Sequence, residues 1–227
     1  MLILGLDTTG RSFSVALLND GEVLGEITEN AARGQAGLVM DALERLFDLT
    51  GKKPSGLDGV AVTNGPGGFS GVRLGVSIAK GICMGAEKPA AAVSSLACLA
   101  FQAMEPVGAV WAVLDCLRNE VYAASYVFGP EGPVETSAAS VMKPGELAES
   151  LSGPCVLVGD GAVKYAGLLT GDGKARLADE SSHTIRASSV AILGSRLLPA
   201  AEPDSADLLG PLYLRLSDAR LPEKPLC

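Results

Sequence analysis

Histidine is nearly missing from this sequence: His183 is the single one among 227 residues. A His–His metal pair is thereby excluded, and a Ser–His or Cys–His couple has one candidate base. That base lies in the polar run Ser181-Ser182-His183-Thr184 and reads as a solvated loop histidine. Aromatics are also scarce at 4%, so the core has to be built from Ala, Val, Leu and Ile, while 28 glycines imply tight turns and close backbone approaches. No apolar run reaches the ~20 residues a membrane helix needs. The opening Met1-Leu2-Ile3-Leu4-Gly5-Leu6-Asp7 has no basic region and meets a carboxylate at once, so no signal peptide is expected. No run of Lys and Arg exists, and the net charge is −8. A chain of this charge does not hold RNA alone; if RNA is the final substrate, another protein supplies most phosphate contacts. No Cys-x-x-Cys pair occurs. Cys83, Cys98, Cys116 and Cys155 sit in apolar runs and read as reduced, packed thiols of a cytoplasmic protein, with Cys227 an exposed tail thiol.

What is present is ordinary globular composition, 48% hydrophobic and 19% charged, at a length that fits one large domain or two small ones. Strands are expected at Leu2–Leu6, Ser12–Leu18 and Val23–Thr28, with Asn19-Asp20-Gly21 as a hairpin turn. Gln35–Thr50 switches to helical period, with Leu38, Val39, Ala42, Leu43, Leu46, Phe47 and Leu49 as its apolar stripe. A strand at Gly59–Thr63, a Gly-rich loop at Asn64–Ser70, a helix at Gly71–Met84 and a strand at Ala90–Val93 follow. Ser94 or Ser95 caps a helix running to about Met104. Glu105-Pro106-Val107-Gly108 is the best boundary, dividing residues 1–105 from 106–227. The second part restarts with strands at Ala109–Leu114, Glu120–Phe128 and Val134–Met142, a short helix at Pro144–Leu151, a strand at Cys155–Val158 and an Ala-rich helix at Ala187–Leu198. A proline-spaced tail, extended or irregular, can pack back on the first part. Both parts approximate a βββαβα plan, which is the α/β layout of the actin-like ATPase (ribonuclease H-like) fold.

Gly65-Pro66-Gly67-Gly68-Phe69-Ser70-Gly71-Val72-Arg73 joins a strand to a helix. It lacks the Gly-Lys-Ser/Thr ending of a phosphate loop, the third glycine of a dinucleotide fingerprint (Ser70 stands there) and the second glycine of a nucleophile elbow (Val72). In the helix behind it Gly71, Gly75, Ala79 and Cys83 recur at every fourth position. Such a stripe lets another helix come close. It serves either packing inside the same domain or, as the sharper expectation, an interface with another subunit. Leu38, Val39, Ala42, Gly71, Val72, Gly75, Ile78 and Ala79 are the residues expected there. Asp7-Thr8-Thr9 is either an ordinary capping turn or the wall of an interdomain nucleotide cleft, with Asp115 opposite. Asp115-Cys116-Leu117-Arg118-Asn119-Glu120-Val121-Tyr122 lines that cleft or forms a salt-bridged hairpin turn.

Several segments together resemble the TsaB family. Its opening Asp-Thr-Ser is matched by Asp7-Thr8-Thr9, and its Gly-Pro-Gly-Ser-Phe-Thr-Gly-Leu-Arg by Gly65–Arg73 with changes at Gly68, Ser70 and Val72. Its Asp-Ala-Arg-x-x-Glu-Val-Tyr is echoed by Asp115 and Glu120-Val121-Tyr122, Leu117 standing for the Arg, and its Pro-x-Tyr-Leu-Arg by Pro211–Arg215. The resemblance implies a non-catalytic dimerisation subunit that pairs with TsaD, joined by the ATPase TsaE, for threonylcarbamoyl transfer to adenosine 37 of tRNA. ATP and metal are then expected on the partners, tRNA is met only through the complex, and a homodimer is expected in isolation. The two metal-binding histidines of TsaD-like helices are absent, as is the His that many family members carry where Gln35-Ala36-Gly37 stands. The competing expectations are an ATP-dependent phosphotransferase using Asp7 and the cleft, and a peptidase.

Overall fold

The β-rich opening and its later echo form two five-stranded mixed sheets in the computed structural model, which describes residues 1–31, 35–103, 108–130, 132–202 and 205–215. In the first sheet β1 (Leu2–Asp7), β2 (Ser12–Asn19) and β3 (Glu22–Asn30) form an antiparallel meander. Asp20 and Gly21 both have positive φ, as a tight hairpin turn requires. After α1 (Gln35–Thr50), β4 (Gly59–Thr63) adds parallel to β1; after α2 (Phe69–Ala86), β5 (Ala90–Val93) adds parallel to β4. The order is β3-β2-β1-β4-β5. Following α3 (Ser95–Gln102, capped by Ser94), the second sheet repeats the pattern with β6 (Ala109–Asp115), β7 (Val121–Gly129), β8 (Gly132–Met142), α4 (Pro144–Ser150) and β9 (Cys155–Val158). Two short helices, α5 (Asp160–Lys164) and α6 (Ala166–Leu169), precede β10 (Ala175–Leu177), and the order β8-β7-β6-β9-β10 mirrors that of the first sheet. Then come α7 (Ala187–Leu197) and α8 (Ser205–Leu208).

Strand periodicity sorts the core into layers. Leu4, Leu6, Val60 and Val62 face α1 and α2, burying Val39, Ala42, Leu46, Val76 and Ala79 against them. Ile3, Leu18 and Ala61 point the other way, to α7. Tyr122, Ala124, Tyr126 and Phe128 share that middle layer from the second sheet, together with α3. Trp111, Val113 and Leu157 form a third layer under α4 and α6. The sheets thus sandwich α3 and α7. Cys83, Cys98, Cys116 and Cys155 are free and buried; burial pushes the Cys83 thiol up to about 11.

The structure corrects several expectations. Helix α2 begins at Phe69, so the end of the Gly-rich loop belongs to its first turn. Leu49 is 76% exposed, on the outer side of the last turn of α1, while Leu46 and Thr50 face Gly25 of β3. The strand β10 and helices α5 and α6 were not foreseen. The expected boundary at Glu105-Pro106-Val107 and the tail end at Cys227 lie outside the described residues.

Helix α7 crosses β1 and β4 at glycines. A Cβ on Gly5 would overlap the Ala187 carbonyl, and one on Gly194 would overlap the Ala61 Cβ. Gly194→Ala recovers roughly 0.5–1 kcal/mol of helix propensity, against an overpacking cost of typically 1–3 kcal/mol. A net destabilisation of about 1–2 kcal/mol is expected in urea unfolding; an unchanged or raised midpoint would show that α7 is not seated on β4.

Candidate functional site

The site grows from the turn after β1. Asp7 is 2% exposed and Thr8 and Thr9 are buried. Oδ1 of Asp7 accepts from Thr63 Oγ1 at 2.5 Å, Thr9 Oγ1 at 2.7 Å and Thr9 N at 3.3 Å. Burial pushes the Asp7 carboxyl up, and these hydrogen bonds oppose it. The turn then lies down on the start of α2. Thr8 Oγ1 donates to Gly71 O at 2.7 Å, and Gly68 N donates to Thr9 O at 2.8 Å. A Cβ on Gly71 would overlap Thr8 O, one on Gly75 would lie 2.5 Å from Thr8 Oγ1, and one on Gly67 2.7 Å from Thr9 Cβ. The glycines at 67, 71 and 75 are therefore the seat of this turn.

The other side of the signature loop holds the segment Pro211–Arg215. Leu212 N donates to Asn64 O at 2.7 Å, and a Cβ on Gly65 would lie 2.8 Å from Leu212 O. Pro66 is buried beside it. Phe69 stacks on Tyr213 with centroids 5.3 Å apart, and the Arg73 guanidinium lies 3.7 Å from the Phe69 ring centre. Arg73 Nε donates to Tyr213 Oη at 2.7 Å. Beyond it, Arg215 pairs with Glu120 at 3.1 Å in the turn before β7. The four sequence segments singled out above thus meet in space. Ser70 faces solvent.

Between the sheets lies a cleft of about 230 Å³, lined by Asp7, Thr9 and Arg11 on one side and Leu114, Asp160 and His183 on the other. Asp160, not Asp115, is the carboxylate opposite Asp7. Asp115 turns away into a 2.9 Å ion pair with Lys164, while its amide donates to Asp160 Oδ1 at 2.9 Å. Burial pushes the Asp160 carboxyl up. The Gly159-Asp160-Gly161 turn at the end of a strand was the available signal for it. His183 is not a solvated loop residue. It is half-buried, its Nδ1 accepts from Gly159 N at 3.1 Å, and its Nε2 lies 3.2 Å from Ala178 O. The ring pins the loop behind β10 to the end of β9. Among the described residues no group of three His, Cys, Asp or Glu side chains could hold a metal. Phosphoryl transfer on this fold needs a cleft carboxylate that can reach a metal or its water. Here one oxygen of Asp7 is taken by three donors and one oxygen of Asp160 by the Asp115 amide, so the arrangement does not favour the phosphotransferase reading.

The small-residue stripe of α2 faces inward. Gly71, Val72, Gly75 and Ala79, with Val39 and Ala42 of α1, are buried against the sheet and the β1 turn. The close approach that their spacing signals is to Thr8 of the same chain, and these six residues are covered within this chain. Of the eight residues expected at an interface, Leu38, 38% exposed, and half-buried Ile78 reach the surface. The outer face of α2 instead carries Ser70, Ser77, Gly81, Met84 and Gly85, all exposed, flanked by Leu74. A Cβ on Gly81 would meet nothing within 4 Å.

Two measurements follow from this geometry. Gly81→Ala, in open space, is expected to stabilise by roughly 0.5–1 kcal/mol, whereas Gly75→Ala destabilises by about 1–3 kcal/mol; similar changes in denaturant midpoint for both would mean that α2 is turned differently. For Asp7, the raised native value means that its charged form costs stability above the usual carboxylate range, a cost that vanishes as acid protonates the folded and unfolded states alike. Asp7→Asn is therefore expected to melt higher than the parent at pH 7, and the gap is expected to close below about pH 4. A lower melting temperature for the variant at pH 7 would contradict this.

Comparison with known proteins gives a consistent answer. The family model described as "TsaD: tRNA N6-adenosine threonylcarbamoyltransferase" matches residues 22–163. The "tRNA threonylcarbamoyladenosine biosynthesis protein TsaB" of Escherichia coli (strain K12) is 36% identical over 191 residues, 78% of this chain and 81% of that protein. The solved structure of YeaZ from Pseudomonas aeruginosa superposes with a TM-score of 0.80 at 26% identity, covering 94% of this chain and 99% of the other. Component A of (R)-2-hydroxyglutaryl-CoA dehydratase from Acidaminococcus fermentans shares the fold alone, with a TM-score of 0.52 at 12% identity over 88% of this chain and 99% of that one. On this evidence, and with its duplicated actin-like architecture, the chain belongs to the TsaB family.

Proposed function

We propose that the chain is a non-catalytic pairing subunit in the synthesis of tRNA threonylcarbamoyladenosine, seating a TsaD-type protein on the outer face of α1 and α2. The observation that carries the reading is that outer face. Leu38 and Met40 of α1 are 38% and 53% exposed, Met84 of α2 is 68% exposed, Leu74 and Ile78 are half-buried, and Gly81 of α2 is open. A mid-helix glycine that none of the described residues crowds leaves room for a neighbouring backbone. The match of residues 22–163 to the TsaD model adds support. In this reading ATP and metal belong to the partners, a TsaE-type ATPase joins the pair, and the −8 chain meets tRNA only within the complex. The same face makes a homodimer when the partner is absent, and the assembly is cytoplasmic.

The test is reconstitution with a TsaD-type protein, a TsaE-type protein, ATP, metal and tRNA. Omitting the chain is expected to abolish modification. The double variant Leu38→Asp and Ser77→Arg, which adds charge to two surface positions, is expected to weaken the pair at least tenfold, about 1.4 kcal/mol. Full modification without the chain would overturn the proposal, and an undiminished complex with a folded variant would remove this face from it.

A further inference from the structure

The cleft between the sheets runs on into a second hollow. Ser12, Asn30 and Thr184 line both the cleft and an outer groove of about 340 Å³, which also takes in Thr28 and Arg186. Residues of the loop 181–186 form one wall of both. Polar contacts pin that loop from behind. Gln102 Nε2 donates to Ser182 O at 3.2 Å and to Thr184 O at 2.7 Å, and its Oε1 accepts from Arg186 N at 2.7 Å. The His183 ring ties the same loop to Gly159 and Ala178. The wall is thus built in advance, as walls of ligand sites usually are.

Charge along this path is sorted by depth. Asp7 lies at the buried end, 2% exposed. The three hydrogen bonds given above all end on its Oδ1, and Oδ2 accepts none from a described residue. Asp160 stands opposite, open to the cleft. Burial raises its carboxyl and the Arg11 charge opposes the rise, which puts that cation close by. Arg11 and Arg186 are exposed, Arg11 in the cleft and Arg186 in the groove. Among the described residues neither guanidinium has a hydrogen bond or an ion pair, and nor do the side chains of Ser12, Asn30 and Thr184.

This arrangement restricts what can enter. A buried carboxylate oxygen without a donor is costly, and an incoming donor relieves it. Two acids on facing walls repel a phosphate or carboxylate from the inner end and attract a cation. The cleft, at about 230 Å³, falls below the ~300–1,000 Å³ of pockets for drug-sized ligands, so the occupant is small.

We propose that the cleft binds a small zwitterion, its primary ammonium between Asp7 and Asp160 and its anionic group, a carboxylate or a phosphate, at Arg11. The rest of the molecule runs toward Arg186 in the groove. α-Amino acids have this pattern of charges, as does phosphoethanolamine. The site lies apart from the outer face of α1 and α2, so the pairing proposal can fail without affecting it.

Titration calorimetry on the full chain at pH 7 tests it, with each of the common α-amino acids and phosphoethanolamine as probes. At least one is expected to bind, and which kind binds tells carboxylate from phosphate. Two derivatives of the tightest probe follow, one lacking the anion (the amide, or ethanolamine) and one N-acetylated. Each is expected to bind at least about tenfold more weakly, since each loses a charged hydrogen-bond partner. Asp7→Asn, expected above to melt higher than the parent, is expected to weaken the probe by at least about tenfold, and Arg11→Gln by about two- to fivefold, the smaller effect of an exposed charge. Should Asp7→Asn fail to fold, Asp160→Asn takes its place, because it keeps an acceptor for the Asp115 amide. No binding by any probe would overturn the site. So would equal binding of either derivative, or unchanged affinity in both the carboxylate and the Arg11 variants.

Discussion

The fold is organised around the contact between the β1 turn and the first two turns of α2. Thr8 and Thr9 lie so close to the helix that three of its neighbouring positions have no room for a side chain. The contact fixes several things together. It aims Asp7 at the cleft, sets the depth of α2 against β1 and β4, and turns the remaining face of the helix toward solvent. A buried carboxylate stays tolerable there because Thr63 and Thr9 satisfy it from the same strand ends that define the turn. The surface available to another molecule is therefore the complement of an internal packing problem.

The signature loop answers to two masters. Its glycines receive the β1 turn, while Phe69 and Arg73 receive Tyr213 from the far end of the described chain. Segments more than a hundred residues apart in sequence are held in one cluster that extends, through Arg215 and Glu120, to the second sheet. Recognition of the family by short motifs works because those motifs touch one another. Both cleft carboxylates are engaged, Asp7 by the Thr9 and Thr63 hydroxyls and Asp160 by the Asp115 amide.

Much of the architecture was legible because its signals are local. The hairpin at Asn19-Asp20-Gly21, the 3.6-residue period of α1 and the alternating Tyr122, Ala124, Tyr126 and Phe128 each announce an element without reference to the rest of the chain. What escaped depends on pairing across long distances. Three residues, Ala175–Leu177, become a strand only because β9 offers a free edge. His183 looked solvated among serines and threonine, yet its ring is claimed by the backbone of Gly159 and Ala178. The stripe of Gly71, Gly75 and Ala79 correctly signalled a close approach, but spacing carries no information about which backbone approaches. Asp160 was passed over because Asp115 ended an equally good strand, and Lys164, which decides between them, lies on a helix too short to read.

The position of α7 bears on how the chain is made. β1 is synthesised well before α7, whose Ala187 and Ala191 cover its face carrying Ile3 and Gly5. The first sheet can assemble early on its other side, under α1 and α2, but stays wet on this one throughout synthesis of the second. Closure of such distant contacts is entropically slow. A nascent chain of this architecture thus keeps an apolar strand face uncovered until α7 has been made.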